Sequence, residues 1–206
     1  MLTVPPRLTA YQGFDALFHC VECFINRNNN LLGDTICRQG IADAAAALPT
    51  CVADGSDLDA RTRLARANTL GGYAMVASGC AGCHGTEHAM SAHHHDLPHG
   101  AGLIMISRAY HQHMIDAHAC DGRYVEMARL MGATDACEPA AFIDELMRLQ
   151  RECGVSDLKM SDWGITENEL DAIAANALAT NDALFSHDPV ELTHEDVVDI
   201  LRKSWR

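Results

Sequence analysis

Apolar positions along this chain recur every three or four residues and almost nowhere every two. Leu64, Ala67, Leu70 and Ala74 form one such stripe, the spacing of a buried helix face. Start and stop signals divide the pattern into segments. Pro5, Pro6 and Thr9 lead into a helix predicted at about 10–26, which Asn28, Asn29 and Asn30 end. A second helix runs about 32–53 with an Ala-rich centre, and Pro49 is expected to bend or split it. Asp54–Asp57 reads as a turn, with Ser56 or Asp57 capping a third helix at about 58–80. Helices at about 84–94, 99–117, 122–132 and 138–152 follow, the last two closed by Gly132 and Gly154. Thr166 and Glu169 make a capping box for a helix to about Ala179, and Thr193 caps a final one at 194–204. The fold class expected is therefore all-α: a helical bundle of about eight or nine helices forming one domain over 1–206.

Charge narrows the partners. Twenty-eight acidic residues against fifteen basic ones give a formal charge of −13, and such a surface repels nucleic acids and anionic membranes. No apolar run is long enough to span a bilayer, and the N-terminus has no charged region followed by an apolar one. A cytoplasmic protein is expected. Its nine cysteines, an odd number, read as reduced thiols.

Candidate chemistry sits in two helical stretches and a turn. Asp15 and His19 are four residues apart, as are His84 and His88, so each pair shares a helix face. His99 follows in Leu97-Pro98-His99-Gly100. Imidazole is the commonest metal-binding side chain at neutral pH, and together these are the parts of a mononuclear metal site. Glu22, seven residues after Asp15, shares its face and is a candidate to orient a ligand from behind. Two other readings compete. Cys20, Cys23, Cys80 and Cys83 form two Cys-x2-Cys pairs, a pattern of structural zinc, and Cys80-Ala81-Gly82-Cys83-His84 has the spacing of a c-type haem attachment. The remaining thiols, Cys37, Cys51, Cys120, Cys137 and Cys153, read as core or surface residues. The run His93, His94, His95 reads as a solvated loop; His111, His113, His118, His187 and His194 read as surface. Met75, Met105, Met114, Met127, Met131 and Met147 read as core filler.

The motifs Asp15-Ala16-Leu17-Phe18-His19, His84-Gly85-Thr86-Glu87-His88 and Pro98-His99-Gly100 resemble those of the iron-containing (group III) alcohol dehydrogenases. The resemblance extends from Val4-Pro5-Pro6-Arg7 to the tail Thr193-His194-Glu195-Asp196. It implies the C-terminal helical domain of the dehydroquinate synthase-like fold, with Asp15, His19, His84 and His99 as metal ligands and His88 beside the substrate without ligating. The metal implied is Fe(II), with Zn(II) as the other candidate, and the reaction implied is hydride transfer between a small alcohol or aldehyde and NAD or NADP. The family's N-terminal NAD(P)-binding domain is expected to be absent: Gly71 and Gly72 fall in a helical pattern with no strand before them, so they form no phosphate loop. Activity then needs a dinucleotide-binding partner chain or is lost; the associations expected are a homo-oligomer or such a chain, and the alternative function is a non-enzymatic metal-binding helical module.

Overall fold

The computed structural model describes residues 1–206. It contains ten α-helices and no strand: α1 (Pro6–Ile25), α2 (Leu31–Ala53), α3 (Leu58–Ser78), α4 (Gly82–His93), α5 (His99–Asp116), α6 (Asp121–Met131), α7 (Ala141–Glu152), α8 (Leu170–Thr180), α9 (Asp182–Phe185) and α10 (His194–Ser204). Two 3₁₀ turns, Met160–Trp163 and Glu167–Glu169, precede α8. Periodicity missed only α9, a single turn, and the first 3₁₀ segment.

Boundaries follow local chemistry. α1 starts four residues before the predicted position because Pro6 stands in its first turn, where a missing N–H costs nothing. Asn30 caps α2 by accepting from Gly33 N at 3.0 Å, and Asp57, rather than Ser56, caps α3 through Ala60 N at 2.9 Å. Pro49 does not split α2, which is continuous; packing against α1 on one side and α3 on the other carries the helix past the lost hydrogen bond. Residues 138–140 lie outside α7, which begins at Ala141. Both capping boxes form, Thr166 with Glu169 and Thr193 with Asp196.

α1 is the central element. Phe14, Leu17, Phe18, Val21 and Phe24 on it are fully buried, and they join one continuous core shared by the other long helices. α2 and α3 run antiparallel beside it: Asn30 at the start of α2 donates to Ala77 O near the end of α3 at 2.8 Å. Arg123 ties α6 to this layer with two bonds to Asp34 of α2, at 2.7 and 3.0 Å, and lies over the Phe24 ring. α4 packs against α5, α8 and α9. Buried Asn26, just after α1, donates to Gly79 O at 2.9 Å and so fixes the chain where it turns into α4.

Surface assignments are corrected for His111 and His187, and His113 and His194 are half-buried as well. His111 is fully buried, edge-on to Tyr110, Tyr124 and Phe142, with Nδ1 3.0 Å from Tyr124 Oη. It lies four residues before Ile115 and seven after Ile104, on the buried stripe of α5, and burial pushes its pKa down to about 4. His187 is half-buried, with Nδ1 2.9 Å from Cys80 O. Among the methionines, Met75 is exposed on α3 and does not fill the core.

Candidate metal centre

α1 presents Asp15, His19 and Glu22 on one side, since steps of four and three residues return to the same face. α4 contributes His84, Glu87 and His88, and α5 begins with His99. The three histidines predicted as ligands converge on one oxygen. Asp15 Oδ1 lies 3.6 Å from His19 Nε2, 3.4 Å from His84 Nε2 and 3.5 Å from His99 Nε2. These separations are long for N–H···O bonds, which fall at about 2.7–3.2 Å. They match the oxygen-to-nitrogen edge expected around a cation with bonds of about 2.0–2.2 Å, roughly 3.3–3.6 Å. The ligand atoms of Asp15, His19 and His84 all lie within 4.8 Å of one another, while His99 reaches Asp15 but falls outside that grouping. The His19 and His84 rings stack at 4.5 Å between centroids, and His99 is 5.4 Å from His84.

Buried carboxylates hold two of the rings from behind. His84 Nδ1 is 2.6 Å from Glu22 Oε1, and His99 Nδ1 is hydrogen-bonded to Glu87 Oε2. Glu22 and Glu87 are both 0% exposed. A proton on each Nδ1 leaves the Nε2 lone pair aimed at Asp15, the tautomer a ligand needs. Sequence reasoning found Glu22 as a candidate for this part but missed Glu87. Its signal is a carboxylate on the buried side of α4, four residues before Ser91, whose hydroxyl also bonds it. The donor set therefore fits a divalent ion of the Fe(II) or Zn(II) type: three imidazoles, one carboxylate and no thiolate.

Glu22 has a further duty. Its Oε2 accepts from Ala81 N at 3.0 Å and His84 N at 3.3 Å. Asp188 accepts from Gly82 N at 2.9 Å and from the Tyr110 hydroxyl; burial raises its pKa to about 7. Neither Ala81 nor any other α4 residue supplies a side-chain cap. The first turn of the histidine helix is thus satisfied by carboxylates from α1 and from the loop after α9.

With no cation bound, protons would balance the charge of the site. Burial opposes a charged His84, but the negative charge of Glu22 and the bonds from Asp15 and Glu22 outweigh it and lift the pKa to about 10. His99 is likewise raised, against burial, to about 9 by Asp15 and Glu87. Burial acts to raise Asp15, yet His84 and His99 hold it well below the usual carboxylate range. His19 is lowered, by burial and by the positive charge of His84. The raised pKa values set a pH dependence. Histidine unfolds to a value near 6.5, so the stabilisation from His84 and His99 is fully present below that pH and is lost as pH rises through 9 to 10. We expect the melting temperature of the metal-free protein to fall over this interval, and His84→Gln to flatten the fall; a melting temperature that rises from pH 7 to pH 10 contradicts this assignment.

His88 lies at the exposed edge of the cluster and, with Glu87 and His99, makes one of the groupings close enough to share an ion. Its ring is exposed, 6.2 Å from that of His84 and stacked 5.5 Å from that of His99. The cysteine readings lose their geometry. Cys20, Cys23, Cys80 and Cys83 are all buried and free, and of the groupings close enough to share an ion only one contains a cysteine, Cys80 with Glu22 and His84. Cys20 instead packs against Gly40 and Gly71.

Residues 9–205 match the family model described as the Fe-containing alcohol dehydrogenase family, C-terminal. Alcohol dehydrogenase 4 of Saccharomyces cerevisiae is 28% identical over 205 residues, covering 100% of this chain and 52% of that protein. The 1,3-propanediol dehydrogenase of Klebsiella pneumoniae is 30% identical over 213 residues, covering 100% of this chain and 53% of that one. The structure of an archaeal halo-thermophilic Red Sea brine pool alcohol dehydrogenase superposes with a TM-score of 0.93 at 27% identity, over 98% of this chain and 52% of the other. The chain spans about half the length of these relatives. No helix is long and apolar enough to cross a membrane. The chain belongs to the Fe-containing alcohol dehydrogenase family and corresponds to its C-terminal, all-helical part.

Proposed function

We propose that Asp15, His19, His84 and His99 hold one divalent metal, Fe(II) with Zn(II) as the second candidate, in an enzyme that moves hydride between a small alcohol or aldehyde and NAD or NADP. The observation that carries this is the set of near-equal separations from Asp15 Oδ1 to three Nε2 atoms, with Glu22 and Glu87 fixing the tautomers of two of them. Dehydrogenase relatives matched along the whole chain support the reaction class. A divalent cation at such a site supplies Lewis acidity toward an alcohol or aldehyde oxygen.

The chain's own residues do the rest. Three neutral imidazoles and one carboxylate leave a bound dication with net positive charge. Glu22 and Glu87 keep the rings from rotating. His88, exposed at the rim, would exchange a proton with the hydroxyl of a substrate. Dinucleotide binding is assigned to a part outside residues 1–206, in a further domain or a partner chain, because Gly71 and Gly72 lie within α3 and no strand precedes them. The test is His88→Ala in an assembly that contains a dinucleotide-binding part, with NADH formation followed on adding alcohol and NAD+. Metal content should be retained and turnover should fall by about 10²–10⁴-fold, the usual worth of a general acid–base group. Loss of metal makes His88 a ligand, and unchanged turnover makes it structural. Retained metal with no turnover in the unaltered assembly favours the non-enzymatic metal-binding module.

A further inference from the structure

We infer that Asn181 fixes which nitrogen of His88 carries the proton, leaving Nε2 as a proton acceptor on the open edge of the ring. The inference rests on the proposed role of His88 and deepens it. Asn181 sits at the joint between α8 and α9, held by its own N–H on Ala177 O at 3.0 Å. Its amide has a donor end and an acceptor end, and Thr180 decides which way they face. The Thr180 hydroxyl donates its only hydrogen to Asn176 O at 2.8 Å. What it can offer Asn181 is therefore a lone pair, and Asn181 Nδ2 donates to it at 2.9 Å. That turns Oδ1 toward His88, 3.3 Å from Nδ1. An amide oxygen only accepts, so this contact favours the tautomer with the hydrogen on Nδ1, and a neutral imidazole has only one to place. Nε2 is left with a bare lone pair.

The packing that allows this explains a small residue in the motif. A Cβ on Gly85, one residue after His84 and three before His88 in α4, would lie 2.9 Å from a Phe185 ring carbon and 3.3 Å from Asn181 Cβ. A glycine there lets the α8–α9 joint approach α4 closely enough for Asn181 to reach His88. Asn181 is thus a positioning residue, acting through His88.

The test reads the tautomer directly. Nitrogen-15 spectra of the whole metal-free chain should show the neutral form of His88 with Nδ1–H ahead by about tenfold, as one net hydrogen bond can supply. Asn181→Ala should remove most of that bias, and Asn181→Asp, whose carboxylate also accepts, should keep it. Thr180→Val frees the amide to turn and should give an intermediate ratio. All three sites are at least partly solvated, and circular dichroism checks that the helices persist. Predominance of Nε2–H in the unaltered chain overturns the inference, as does an Asn181→Ala spectrum identical to the unaltered one. The readout needs neither metal nor turnover, so its failure is distinguishable from failure of the dehydrogenase reading.

Discussion

Asp15→Ala is expected to weaken metal binding by about 10²–10³-fold, the cost of removing one partner from a desolvated charge cluster. Asp15 supplies the only carboxylate that faces all three Nε2 atoms, so the variant leaves a dication with no anionic ligand. It also leaves His84 and His99, which are charged in the cation-free state, without their shared counterion. Glu22→Gln and Glu87→Gln should each cost less, about 10–100-fold, the usual worth of a group that orients a ligating histidine. An amide can still accept from Nδ1, but it removes the negative charge that makes the imidazole a stronger donor. Competition with a chelator of known affinity, followed by elemental analysis, ranks the variants. The ranking Asp15 first and the two glutamates after it is the expected result. A Cys80→Ser variant that loses metal while Asp15→Ala keeps it defeats the assignment.

Gly100→Ala should be the most damaging small substitution. A Cβ at position 100 would lie 2.3 Å from Tyr11 O, 2.7 Å from Tyr11 C and 3.0 Å from Tyr11 Cα. All three are backbone atoms of α1, so no side-chain rotation relieves the overlap, and α5 must move away from α1 as a body. Overpacking of this kind costs about 1–3 kcal/mol and sometimes more. The displacement falls next to His99, so metal affinity should drop along with the melting temperature. Gly102→Ala makes the useful contrast. There the added methyl would meet the Glu87 side chain at 2.6 Å, which can shift, so the expected loss is in the hold on His99 more than in global stability. Thermal melts and metal titrations of both variants, run together, check this; a Gly100→Ala protein that melts with the unaltered one overturns the packing argument.

The helices were legible because their ends carry local chemistry. Asn30, Asp57, Thr166 and Thr193 cap within three residues of themselves, and such bonds can be read from spacing alone. The pairs Asp15–His19 and His84–His88 were legible for the same reason. What the spacing could not reveal was contact across the fold. Glu87 is only three residues from His84, yet its partner, His99, is reached by a reversal of the chain between α4 and α5. His111 looked like one of several histidines on a polar helix end, and only the packing of α6 and α7 against α5 makes its position interior. The cysteine pairs gave a metal-like spacing, but only Cys23 and Cys80 meet, while Cys20 faces α2 and α3, so the four share no centre. Pro49 carried a local rule that the surrounding helices override.

The two carboxylates behind the histidines differ in how free they are to change over evolutionary time. Glu22 serves the His84 ring and also the first amides of α4, whereas Glu87 bonds only the His99 ring and the Ser91 hydroxyl. A lineage that abandoned catalysis would still need Glu22 to start that helix, so the residue is entrenched by folding. Glu87 would be released, and with it His99, and both should drift toward apolar residues first. On the proposed function, an intact Glu87–His99 pair among descendants of this chain would mark a working site, and an intact Glu22 would not.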